Sequence, residues 1–231
     1  MKSYNVVKTE TTKRGVIVHE VDSGDGELKS YHYAAIRGGL SWGSGESPAF
    51  FMILGEEFVD KTRFEGQVPP RGKLKVFTER QIPSPFLDKL FSALTDDCAL
   101  FGCGYVYADL SDEHEESGKL FMEYVSEKKA RYVSLEDAPF VNNFPLGVSL
   151  INRWLSEALL DLPKESLVRD QLKKLTKQDF GDSPEQRFFA VNALRFVLGS
   201  FYKCPPTSRV ITITRKIKPM RSIGGRPLHQ R

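Results

Sequence analysis

The order in which apolar periodicity changes along the chain constrains its fold more than any other feature. Three strand-like runs, at residues 31–36, 49–54 and 74–78, follow one another with only glycine- or proline-rich breaks between them, at Gly38-Gly39 through Gly45 and at Val68-Pro69-Pro70-Arg71-Gly72. From residue 84 onward the pattern switches to helical spacing, then a short apolar run, helical spacing again, a second short run, and helices up to residue 201. Antiparallel strands close through short turns, whereas parallel strands need a crossover such as a helix. A chain with both arrangements in this order is expected to build an α/β fold, a mixed sheet flanked by helices.

An opening hairpin is predicted over residues 4–21, turning at Lys13-Arg14-Gly15. The first helix is expected to be capped by Ser84, with Pro85 in its first turn. Phe86, Leu87, Leu90, Phe91 and Leu94 recur at helical spacing as its apolar face, and it would end near Asp97. Tyr105-Val106-Tyr107-Ala108 reads as a short central strand. A second helix over 116–129 would bury Leu120, Phe121, Tyr124 and Val125, and a strand over 132–135 would follow. A third helix after Pro145 is expected to place Leu150, Ile151, Trp154, Leu155 and Ala158 on one face. Residues 161–180 are charged and read as a surface excursion with a short helix over 167–175. The last helix has the cap Asp182-Ser183-Pro184-Glu185 and a face of Phe188, Val191, Leu194, Leu198 and Phe201. A basic strand over 210–217 and a loose end from Pro219 complete the chain.

Composition adds exclusions. With 231 residues, 40% hydrophobic content and 16 Phe, the chain can fill a sizeable core. No run reaches the ~18 apolar residues of a membrane span, and Met1-Lys2-Ser3-Tyr4-Asn5 has no apolar leader, so a cytoplasmic protein without a membrane partner is expected. Cys98, Cys103 and Cys204 form no CxxC pair and read as small buried apolar residues, and the four histidines are scattered. Net charge is only +3, but residues 186–231 hold ten Lys or Arg and no Asp or Glu, which leaves −7 on residues 1–185. Either a polyanion or the acidic part of the same protein would complement that end.

Several short motifs, taken in order, resemble the nuclease domain of viral and phage large terminase subunits, which has a ribonuclease H-like fold. Gly38-Gly39-Leu40-Ser41-Trp42-Gly43 and Pro48-Ala49-Phe50-Phe51-Met52-Ile53-Leu54-Gly55 are similar to that family's first hairpin. Val76-Phe77-Thr78-Glu79-Arg80 resembles its third strand, and Tyr105-Val106-Tyr107-Ala108-Asp109 its fourth. Pro145-Leu146-Gly147-Val148-Ser149-Leu150-Ile151 resembles the start of its next helix, and Ala190-Val191-Asn192-Ala193-Leu194-Arg195-Phe196 its closing helix. The resemblance implies a mixed five-stranded sheet. It divides the chain into a hairpin extension (1–30), a ribonuclease H-like domain (31–203) and a basic strand and tail (204–231).

Nucleases of this fold hold two divalent cations ~4 Å apart on clustered carboxylates. The resemblance implies Glu79 and Asp109 as metal ligands for Mg2+ or Mn2+ and, with Glu185, as catalytic residues of a divalent-metal-dependent endonuclease. Ser41 stands where the family has its first Asp, Phe188 and Phe189 where the closing helix offers an acid, and Asn192 replaces a further Asp. Asp182, Glu185 or Glu46 would have to compensate. Asp109, followed by Leu110-Ser111-Asp112, also reads as an ordinary turn residue. The expectation is therefore a catalytically degenerate relative that binds DNA or RNA in the cytoplasm, including that of a phage-infected host. Arg195, Lys203, Arg209, Arg215, Lys216, Lys218 and Arg221 would face phosphates. An active nuclease and a non-catalytic phage assembly protein, whose basic tail meets protein partners and which needs no cofactor, are the alternatives.

Overall fold

A computed structural model describes residues 5–22, 24, 27–43, 47–64, 70–83, 86–128, 130, 132–180 and 187–202. Strands β1 (Val6–Thr11) and β2 (Ile17–Asp22) form the expected hairpin, and β2 continues antiparallel onto the first half of the long strand β3 (Leu28–Ser41). β3 pairs antiparallel with β4 (Ala49–Glu57), and β4 antiparallel with β5 (Leu74–Ile82). At residues Arg37–Leu40, β3 also pairs in parallel with β6 (Tyr105–Ala108), which is parallel to β7 (Ser134–Asp137). The core order is thus β5-β4-β3-β6-β7 with β4 alone antiparallel to the rest, a mixed five-stranded core of the ribonuclease H-like class expected from the sequence. The hairpin and a two-residue strand β8 (Leu160–Asp161), parallel to β5, extend the sheet to eight strands among the described residues.

Helices α1 (Leu87–Phe101) and α2 (Glu115–Glu127) cover one face of the sheet, and α3 (Phe144–Ser156), α4 (Leu167–Lys174) and α5 (Phe189–Phe201) the other. β4 shows why its sequence is apolar without interruption. Phe51 and Ile53 enter the core under α1 and α2, while Phe50, Met52 and Leu54 enter the core under α3 and α5. α5 is the central helix, with 11 of its 13 residues buried.

Gly38 and Gly39 do not break the sheet as the sequence suggested; they lie inside β3. A Cβ on Gly39 would sit 2.0 Å from the Ala193 carbonyl oxygen, so the missing side chain is what lets the α5 backbone cross directly over β3.

Other corrections have tertiary causes. α1 runs past Asp97 to Phe101 and stops at Gly102, whose φ of 69° is left-handed. Asp97 is buried within that last stretch because the Arg80 guanidinium grips it with two hydrogen bonds of 2.7 Å each. α1 has no side-chain cap, and Ser84 and Pro85 lie outside the described residues. On α2, Leu120 is exposed; Gly118, Phe121 and Val125 face the core.

The stretch 161–180 is not a mere excursion. α4 buries Val168 and Gln171, and Gln171 Oε1 accepts hydrogen bonds from the backbone N–H groups of Ala190 (2.9 Å) and Val191 (3.2 Å). It therefore satisfies the first-turn donors of α5 that a local cap would otherwise serve. The sequence-expected cap at 182–185, Cys204 and the basic strand over 210–217 lie outside the described residues. Cys98 and Cys103 are buried, as expected. Among the described residues no helix is long and apolar enough to cross a membrane.

Candidate functional site

The site lies where β3 and β6 end together. Leu40 pairs with Ala108, so the next residues, Ser41 at the end of β3 and Asp109 just past β6, lie side by side. Side chains alternate along a strand, so Ser41 shares the face of Gly39, the face that α5 crosses. Asn192 on α5 completes the floor of a cleft of about 730 Å3, whose walls include Trp42, Phe144 and Phe189. Asp112, Glu113 and His114 line it on the side of the loop that leads into α2.

Local bonds fix these groups. The Trp42 indole N–H donates to the Asp109 carbonyl at 2.7 Å and ties the end of β3 to the end of β6. The Asp109 carboxylate accepts from the Ser111 N–H at 2.8 Å, the turn that its sequence context allowed. Asn192 is 2% exposed, and its Oδ1 accepts from Arg195 Nε at 2.7 Å.

Glu79 is not brought to this cleft. In register it faces Met52, which faces Gly39, which faces Tyr107. Three strand spacings, roughly 14 Å, therefore separate it from β6. Its carboxylate instead accepts from Ser166 Oγ at 2.6 Å and from the Leu167 N–H at 3.0 Å, at the N-terminus of α4. Burial pushes the Glu79 carboxyl above its ordinary pKa; those two hydrogen bonds oppose the shift and nearby Asp170 adds to it. The acid read from the sequence as a metal ligand is a tertiary cap on α4.

Mg2+ and Mn2+ are hard cations that need carboxylate oxygens. The floor offers one carboxylate, an uncharged hydroxyl and an uncharged amide, and among the described residues no three His, Cys, Asp or Glu side chains are grouped to hold a metal ion. The described residues do not fit a two-metal centre. Glu185, Asp182 and Glu46 lie outside them.

Arg195 requires a correction. Rather than facing a phosphate, it is fully buried and donates to the carbonyls of Phe140 (2.6 Å) and Val141 (3.1 Å) as well as to Asn192. Its guanidinium also lies 4.7 Å from the Phe196 ring centre and 5.1 Å from that of Phe144. It pins the loop before α3 to the underside of the cleft wall. Lys203, Arg209, Arg215, Lys216, Lys218 and Arg221 lie outside the described residues. Sequence reasoning missed the acidic rim, although the run Asp112-Glu113-His114 directly after Asp109 was visible. It also missed Gln171 and Ser166, whose roles depend on contacts with residues far along the chain.

No protein-family model matches the chain, and no curated protein matches its sequence. Among solved structures, it is similar to the large terminase nuclease from thermophilic phage G20c with bound zinc. That match has 12% identity and a TM-score of 0.46, covering 86% of this chain and 92% of that one. A second crystal structure of the same nuclease matches at 13% identity and a TM-score of 0.46, covering 84% and 90%.

Proposed function

We propose that this chain is a nucleic-acid-associated ribonuclease H-like protein, related to phage terminase nuclease domains, that binds without cleaving. One observation supports this reading: Ser41, Asp109 and Asn192 share the cleft floor where β3 and β6 end, and among the described residues Asp109 is the one carboxylate on that floor, with Asp112 and Glu113 farther out on its rim. Two adjacent divalent cations on a single carboxylate would leave most of their charge uncompensated. The acid-free basic end supplies the phosphate affinity, and the cytoplasm, including that of a phage-infected cell, supplies the DNA or RNA.

The test has two arms. Incubation with single- and double-stranded DNA and RNA in Mg2+ or Mn2+ is expected to give no cleavage. Cleavage that disappears in Asp109→Ala or Glu185→Ala would establish the active-nuclease alternative instead. Binding is expected to weaken steeply with salt: six phosphate contacts correspond to a log–log slope of about −5 on duplex DNA. No binding, or binding indifferent to salt, would remove nucleic acid as the partner.

A further inference from the structure

We infer that the cleft is a binding site for a cationic side chain and that its occupant is the chain's own basic segment, residues 203–231. The inference stands apart from the nucleic-acid reading, since it concerns what the cleft takes rather than what the tail meets elsewhere.

The first ground is charge. Asp109, Asp112 and Glu113 line the cleft and, among its described lining residues, no Lys or Arg does. Without metal ions to reverse that sign, a phosphate would be repelled. The N-terminus of α5 does not compensate, because Gln171 already accepts from Ala190 and Val191. The second ground is the floor. Ser41 is 8% exposed, lines the cleft, and among the described residues its hydroxyl makes no hydrogen bond. That hydroxyl opens to the cleft, and an ammonium or guanidinium N–H entering it is a donor the hydroxyl would accept. The third ground is the wall. Trp42, Phe144 and Phe189 also line the cleft, so apolar surface and carboxylates share it, the combination that suits a cation on an apolar stem.

Segment 203–231 has the matching chemistry, with eight Lys or Arg and no acid in 29 residues. It follows α5 directly, and α5 itself reaches the cleft through Phe189 and Asn192. Running back along that helix covers about 20 Å, and 29 extended residues span roughly 95 Å, so the segment reaches the cleft within one molecule.

Limited trypsin digestion of the full-length chain at low salt, without nucleic acid, tests the inference through cleavage after Arg215, Lys216 and Arg221. Asp112 and Glu113 are exposed, so Asp112→Asn/Glu113→Gln removes charge without disturbing the core. The tail of this variant is expected to be cut about fivefold faster than that of the unmodified chain, the scale of two exposed ion pairs, with the two rates converging in about 1 M salt. Glu123→Gln/Glu127→Gln, which removes the same charge two to three turns along α2, is expected to leave the rate unchanged. Equal rates for the first variant and the unmodified chain would overturn the inference, and so would equal acceleration by the second variant. Protection that persists on dilution supports docking in cis; protection lost on dilution would assign the occupant to a second copy and overturn the cis assignment. A protein with no nucleic-acid affinity would still show the protection, so the two readings fail separately.

Discussion

Replacing Glu79 separates a structural cap from a metal ligand. In Glu79→Ala the Ser166 hydroxyl, on a residue 1% exposed, and the Leu167 N–H both lose their acceptor. An unmet buried donor costs about 1–3 kcal/mol. Leu167 is half-buried, so water recovers part of its share, and loss of the negative charge at the start of α4 adds about 0.5 kcal/mol. Relief of the buried carboxylate works the other way, because burial already disfavours its ionised form. The net expectation is destabilisation of about 2 kcal/mol, or roughly 4–8 °C in Tm for a chain of this size.

Glu79→Gln keeps an acceptor for Leu167 and is expected to cost under about 1 kcal/mol near neutral pH. The sign of the pH dependence follows from the raised pKa. Glu79 contributes stability fully below its unfolded value of 4.5 and loses it as pH rises through its higher folded value. Glu79→Gln has no such titration, so its Tm relative to the unmodified protein should climb as pH rises from 4.5 through the raised folded value. Thermal unfolding followed by circular dichroism across that range measures both effects. A Tm for Glu79→Ala within 1 °C of the parent would refute the capping role, as would a fall of the Gln variant relative to the parent with rising pH.

Gly39→Ala would force a Cβ to within 2.0 Å of the Ala193 carbonyl, and since the obstacle is backbone, α5 must lift from β3. A loss of about 3 kcal/mol or more is expected in urea titration, and an unchanged midpoint would show that α5 does not cross β3 this closely. Arg195→Ala strips the carbonyls of Phe140 and Val141 of a buried cationic donor and is expected to cost about 3–5 kcal/mol, while nucleic-acid affinity per folded molecule stays the same. A stable Arg195→Ala protein with weakened, less salt-sensitive binding would return this residue to the phosphate-contact role.

The course of the chain was largely legible in its residues. A short continuous apolar run such as Phe50–Leu54, bounded by glycine- or proline-rich breaks, reads as a strand buried on both faces, and the switch from hairpins to helix-spaced crossovers points to a mixed sheet. The placement of Ser41 beside Asp109 was legible too, because both end strands that must be neighbours in that order. What failed were readings that depend on partners distant in sequence. Gly38-Gly39 resembles a loop until α5 is laid against it, and Asp97 resembles a helix end until Arg80 pairs with it.

The division has a physical cause. Periodicity and turn chemistry act over a few residues, so the sequence by itself determined the strands, the helices and the chemical poverty of the cleft floor. Which charges are spent on structure is decided by contacts made across the fold. Only the tertiary structure showed Glu79 capping α4, 87 residues away from Ser166 in sequence, and Arg195 holding carbonyls more than 50 residues distant. Asp109 remains in the cleft because no such distant partner claims its carboxylate: its one described side-chain bond is to Ser111, two residues on.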